Sequence, residues 1–369
     1  MSVIVRSGAA ASLVVALVCA TAAGGEKKKF APNPRLNLAD NTAAQIAPFT
    51  WKKPAGEGGG GSVSDYSGMT YDMHNHRVLL FGGGHATTWT DAIYVFSFAD
   101  LKWSALYEPT PADYYKKENM DRAFWKAGAA GNYPRPIGRH TYDLLIVPDD
   151  REELLMLRSG TGPSAAARGF GYIGGACGTY DFKGNKWKMT PSAPFGGYGG
   201  AAEYDPVSKK VIGSAGQRVF VYDPGTGKSA KMLDDISDKH KVKCYSGTMV
   251  YFPPDRKMYC IPASKKIWSL ELDRARWGKS KITVLNPSGQ CPPSECAFAY
   301  DSKNRVIGGG VKDNKFYIYD PAKNAWTAES IQGGKPGTMT FHCLVYDPVD
   351  NVYVFVAGKR TTWAYRWKR

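Results

Sequence analysis

The chain repeats itself, and this restricts its fold more than any other feature. An apolar run ends in Tyr-Asp, a polar turn follows, and a second apolar run ends at glycine. The tyrosines are Tyr71, Tyr142, Tyr204, Tyr251, Tyr300 and Tyr346, and successive numbers differ by 71, 62, 47, 49 and 46. Aspartate follows in all but the fourth, where Phe252 stands. Alternating apolar residues around an Asp-, Pro- or Asn-rich turn are the signal of a β-hairpin. A third strand follows each hairpin, as in RVFVYD and KFYIYD, and Trp103, Trp187, Trp277 and Trp326 mark a fourth. Four-stranded units at regular spacing read as the blades of a β-propeller.

The expected fold is therefore all-β: a β-propeller of six four-stranded blades, with seven as the alternative count. The Gly-rich end of the second strand, the Tyr of the third and the Trp of the fourth resemble kelch-type propellers. That group includes the galactose oxidase central domain and several secreted carbohydrate-active enzymes. The resemblance covers residues 48–369 and implies an architecture more than an activity. The last unit has only three strands before Arg369, so the N-terminal segment Pro48–Lys53, with Trp51, is expected to supply the fourth and close the ring. Closure removes exposed sheet edges. Gly56–Gly61 then links the closing strand to the first blade.

Residues 1–22 read as a secretory signal: Arg6, an apolar stretch from Gly8 to Val18, and the small-residue site Ala20-Thr21-Ala22. Residues 23–47 are an extension before the propeller. No other run is apolar enough to span a bilayer. The expected location is secreted or periplasmic, and the expected state is a monomer. Removing the signal leaves six cysteines, which in an oxidising compartment favour disulfides, with a Cys291–Cys296 loop as one local pairing.

The chain carries 48 Lys and Arg against 33 Asp and Glu. Without the signal and its Arg6 the balance is 47 − 33 = +14. In a propeller, the start of each first strand and the end of each second strand share one face. Cations or histidines fall there in every unit, while the turn acids Asp149, Asp150, Asp255 and Asp350 fall on the other. A concave mouth of one sign concentrates oppositely charged ligands. An acidic polysaccharide is the expected partner. Export and the lack of any nucleic-acid motif argue against nucleic acid.

The residue types at this mouth suit β-elimination, as the resemblance to secreted polysaccharide lyases also implies. Arg139, helped by Arg158 or Arg218, would neutralise a uronate carboxylate. His140 or His85 would take the proton. Tyr198 or Tyr245 would protonate the leaving oxygen. Lys265, Lys312 and Arg360 would line the binding surface. Trp125 belongs to an aromatic insertion between Tyr107 and Arg135, read as one wall of the mouth and as a short helix. Glycines 82–84 would allow close approach of a ligand.

Two other readings compete: a noncatalytic glycan- or protein-binding propeller, and another carbohydrate enzyme such as a glycosidase or copper oxidase. A glycosidase wants two carboxylates in the mouth; Glu295 is the clear candidate, with Asp91 and Glu203 less certain. His74 and His76 sit in a turn expected to be solvated, so neither is read as a metal ligand. No cofactor is expected.

Overall fold

The computed structural model describes residues 28–56, 63–82, 90–128, 131–158, 160, 173–195, 199–234, 236, 244, 246–262, 267–292, 296–358 and 360–369. The chain is a β-propeller. Blade one is the antiparallel series Gly68–Asp72, Arg77–Phe81, Tyr94–Ser97 and Lys102–Ala105. The inner strands of the other blades among the described residues are Leu145–Ile146, Ala201–Asp205, Thr248–Phe252, Phe298–Asp301 and Met339–Asp347. Each inner strand packs beside the next, and the last returns to the first.

The Tyr-Asp signature has a physical basis. Tyr71, Tyr204, Tyr251, Tyr300 and Tyr346 lie near the ends of inner strands. The aspartates that follow accept backbone N–H groups of the turn: His74 on Asp72, Asn304 on Asp301, Val349 on Asp347. These are Asx turns, in which a short acidic side chain replaces a backbone acceptor. Third strands use the same device, with Gly225 N–H on Asp223 and Ala322 N–H on Asp320.

Tyr142-Asp143 breaks the pattern. The inner strand of blade two starts only at Leu145, so this pair precedes the strand rather than ending it. Asp143 is therefore no turn residue, and its side chain reaches the central channel.

The core lies in layers between blades. Phe81 of blade one packs on Trp187 of blade two, with centroids 5.2 Å apart, and Phe316 of blade five on Tyr365 of blade six at 4.2 Å. The glycines of second strands serve this packing. A Cβ on Gly308 would collide with the Tyr353 hydroxyl of the next blade, and one on Gly82 would stand 2.7 Å from the Arg139 carbonyl. At Gly82 the close neighbours are thus Ser67 and the Arg139 carbonyl of the next blade, not a ligand. Residues 83 and 84 lie outside the described residues.

The ring does close with an N-terminal strand, but earlier in the chain than Pro48–Lys53. Thr42–Pro48 pairs antiparallel with Thr361–Arg366, so the propeller begins inside the segment read as an extension. Alternation decides this: Ala43 and Ala47 are buried, whereas Lys52 and Lys53 are exposed. Trp51 accordingly lies off the strand. Trp277 also differs: it opens a 3-10 turn before the outer strand Lys281–Leu285.

The insertion after Tyr107 is not an α-helix. It forms two 3-10 turns and a small sheet of Met120–Asp121, Phe124–Trp125 and Arg135–Pro136. The sheet sits on blade two, where Ala176 N–H donates to the Arg122 carbonyl.

One disulfide joins Cys244 to Cys260. Cys291 is a free thiol, so the Cys291–Cys296 loop does not form; Cys177 and Cys343 are also free thiols. Cys177 is settled among protein groups, its thiol donating to the Leu157 carbonyl at 3.0 Å. No helix among the described residues is long and apolar enough to cross a membrane.

Candidate functional site

The inner strands are entered through left-handed backbone. Tyr66, Tyr142, Ser246 and His342 have φ of 57°, 49°, 46° and 51°, and Gly199 has 65°. Non-glycine residues in this region carry strain that the surroundings must enforce. Here neighbouring blades enforce it. Tyr142 N–H donates to the Tyr66 carbonyl at 2.9 Å, and Ser246 N–H to the Gly199 carbonyl at 3.0 Å. Thr141 adds a bridge, donating to the Phe81 carbonyl and accepting Gly68 N–H, both at 2.6 Å.

These turns gather an aromatic cluster at the mouth. Phe341, Tyr66 and His140 stack in series, with centroids 4.8 and 5.0 Å apart and planes inclined by 13° and 29°. Tyr142 meets His140 and His342 edge-on at 5.9 and 5.6 Å. The Arg158 guanidinium lies 5.5 Å over the Tyr142 ring. Blades six, one and two all contribute. Tyr66 and Phe341 are partly open to solvent; His140 and His342 are buried. Burial pushes the His342 imidazole down to about 4, so it is neutral at physiological pH.

The sequence candidates separate by environment. His140 joins the cluster. Arg139 is wholly buried and turned away from the channel. Its guanidinium donates to the carbonyls of Ile137 and Arg158 at 3.0 Å and to those of Ala176 and Ala123. The expected carboxylate-neutralising arginine is thus engaged with backbone that has no other charge to offer. Arg158 is equally buried, over Tyr142. Trp125 is buried in the small sheet, stacked on Tyr115 at 5.0 Å, so its ring packs the insertion rather than a ligand wall. Arg218, Lys312 and Arg360 are exposed at equivalent strand ends around the rim. Arg218 lies 3.4 Å from Asp234, whereas Lys312 and Arg360 form no ion pair among the described residues. His85, Tyr198, Tyr245, Lys265 and Glu295 lie outside the described residues.

Several cations of the hairpin end have counterions. Arg77 pairs with Asp72, Lys209 with Asp150, Lys210 with Asp223, and Arg274 with Asp205 through two hydrogen bonds of 2.7 and 2.8 Å.

A channel cavity of about 330 Å³ is lined by the six described inner strands and reaches the hairpin turns at Met73, Asp149, Pro206 and Pro253. It contains Asp143 and Glu203. Asp143 Oδ2 accepts Met249 N–H and Glu203 Oε1 accepts Tyr204 N–H, both at 2.7 Å. Burial raises the Glu203 carboxyl to about 7. Asp143 is raised well above its ordinary value, by burial first and by the Glu203 charge in addition. Asp91, weighed as a mouth acid, is buried instead on Thr110, accepting its N–H at 2.7 Å and its hydroxyl at 2.6 Å.

A pH dependence follows. A raised carboxyl pKa means the folded state keeps a proton that the unfolded chain has lost. The stability contributed by this group is full below the ordinary value of 4.5 and is lost as pH rises through about 7. Glu203→Gln is expected to be more stable than the parent at pH 8, by roughly 1–3 kcal/mol, and nearly equal at pH 4. Urea denaturation at both values checks this; an equal difference at both would contradict it.

No protein-family model and no curated protein sequence matches the chain. Solved structures do. One is an auxiliary nutrient binding protein from Bacteroides thetaiotaomicron, with a TM-score of 0.53 at 10% identity, covering 87% of this chain and 75% of the other. A second, of unknown function from the same organism, has a TM-score of 0.55 at 10% identity, covering 88% and 75%. At this identity the likeness concerns the fold, and it places the chain among β-propeller structures.

Proposed function

We propose that the chain is a kelch-like propeller, secreted or periplasmic, that binds an acidic, uronate-containing saccharide at its mouth without transforming it. One observation carries this reading. An aromatic cluster from three blades lies inside a rim of exposed cations, of which Lys312 and Arg360 have no counterion among the described residues. Aromatic faces suit the apolar faces of sugar rings, and a rim of exposed cations attracts carboxylates.

The nutrient-binding role of one structural neighbour supports binding over turnover. So does Arg139, whose donors are engaged by carbonyls. The signal-like residues 1–22 and the Cys244–Cys260 disulfide support export. Calorimetric titration with an oligouronate and with a neutral oligosaccharide of equal length tests the proposal. Saturable, salt-sensitive binding of the oligouronate alone is expected, with no growth of ultraviolet absorbance from unsaturated ends. Equal affinity for the neutral sugar would overturn the charge argument, and rising absorbance would restore β-elimination.

A further inference from the structure

At the hairpin end, where the ring closes, the turn of blade one meets the turn of blade six. His76 ends the first turn in left-handed backbone, with φ of 48°. Contrary to the solvated position expected for it, His76 is buried. Its ring stacks on Phe98 at 4.8 Å with planes 9° apart, and Phe30 lies 5.1 Å away. These rings fix the imidazole plane. Nε2 then stands 3.2 Å from Asp347 Oδ2 and 3.5 Å from Asp350 Oδ2. The carboxylate side chains are 0% and 1% exposed.

The second oxygens are already engaged. Asp347 Oδ1 accepts Val349 N–H at 3.0 Å, and Asp350 Oδ1 accepts Asn33 N–H at 2.6 Å. Asp350 Oδ2 has no hydrogen-bond partner, although it is buried and directed into the cluster. His74, two residues away, is not a further ligand, because its Nε2 lies 2.8 Å from the Pro148 carbonyl.

One imidazole beside two buried carboxylates leaves negative charge in excess, which is costly without a neutralising group. The three donor atoms all lie within 4.8 Å of one another. Two ligands about 2.1 Å from one ion at a tetrahedral angle stand about 3.4 Å apart, which matches the two separations at Nε2. We infer that His76, Asp347 and Asp350 bind one divalent ion of the Zn²⁺ or Mn²⁺ class. Imidazole with carboxylate is a donor set these ions accept, whereas Ca²⁺ takes six to eight oxygens. The ion's role is structural. It ties the first blade to the last, beside Arg366, which donates to the Asp350 carbonyl at 2.7 Å and the Leu36 carbonyl at 3.0 Å.

The test uses untagged full-length protein, stripped with chelator and then given Zn²⁺, Mn²⁺, Ca²⁺ or Co²⁺. Elemental analysis after dialysis is expected to find one Zn²⁺ or Mn²⁺ per chain. Zn²⁺ or Mn²⁺ should raise the melting temperature by several degrees and Ca²⁺ should not. Co²⁺ should give a visible spectrum that is lost in Asp350→Asn protein whose near-ultraviolet dichroism shows it folded. Identical melting of stripped and Zn²⁺-loaded protein, with no Co²⁺ spectrum, would overturn the site and leave a proton as its only occupant. That result on the parent protein decides the matter even if the variant fails to fold. An unchanged Co²⁺ spectrum in Asp350→Asn would overturn it as well.

Discussion

Deleting Thr42–Pro48 is expected to abolish the native monomer. The strand pairs along the whole of Thr361–Arg366 and also meets Gln332–Gly333 in parallel. Without it, Thr361–Arg366 becomes a long, apolar, exposed edge, the kind of surface that recruits other chains. Buried Ala43 and Ala47 leave two hydrophobic clusters, one of which joins blades six and one. Size-exclusion chromatography and near-ultraviolet dichroism should show aggregate and lost tertiary signal. Deleting only residues 28–32, which precede the strand, should leave the monomer folded. A folded monomer without Thr42–Pro48 would show that the ring holds by its inner contacts alone.

The second large effect is expected at Arg139. Its guanidinium serves four backbone carbonyls inside the protein. Arg139→Ala leaves buried acceptors unmatched, each at a cost of about 1–3 kcal/mol, and water entering the space recovers part of it. A loss of roughly 3–5 kcal/mol is expected by denaturant unfolding. Arg139→Lys should fall between, because an ammonium cannot reproduce the planar fork. The contrary outcome is unchanged stability with lost ligand binding, which would return Arg139 to the ligand.

Much of the ring is readable from local chemistry. Hairpins follow from alternation, and their turns from aspartates that accept N–H groups two or three residues on. What escapes the sequence depends on long-range neighbours. Tyr142-Asp143 looks like every other copy of the signature, yet it stands before its strand, and only the neighbouring blade, through Ala202 N–H on the Asp143 carbonyl at 3.0 Å, fixes it there. Glu203 is one of the acids weighed from sequence, but its partner Asp143 is hidden by that false register. Arg139 and Arg218 have the same charge and comparable sequence positions. One is buried because the insertion after Tyr107 folds over it and the other is exposed because nothing does. Tyr66 and Phe341 escape the sequence, since stacking across blades leaves no spacing to read. Non-glycine residues in left-handed backbone mark three of the mouth positions, and this signal exists only in the fold.

The central claim is that an acidic saccharide binds at the mouth through exposed rim cations. Its most direct test is oligouronate binding by calorimetry to the parent, to Arg218→Glu/Lys312→Glu/Arg360→Glu, and to Lys209→Glu, a hairpin-end control. All three proteins should give the parent's near-ultraviolet dichroism, since these side chains are exposed. Each reversal is expected to cost about tenfold at low salt, or about 1.4 kcal/mol. The triple variant should therefore lose nearly all measurable affinity, while Lys209→Glu binds as the parent does. Parent-like binding by the triple variant, or equal loss in Lys209→Glu, would contradict the account.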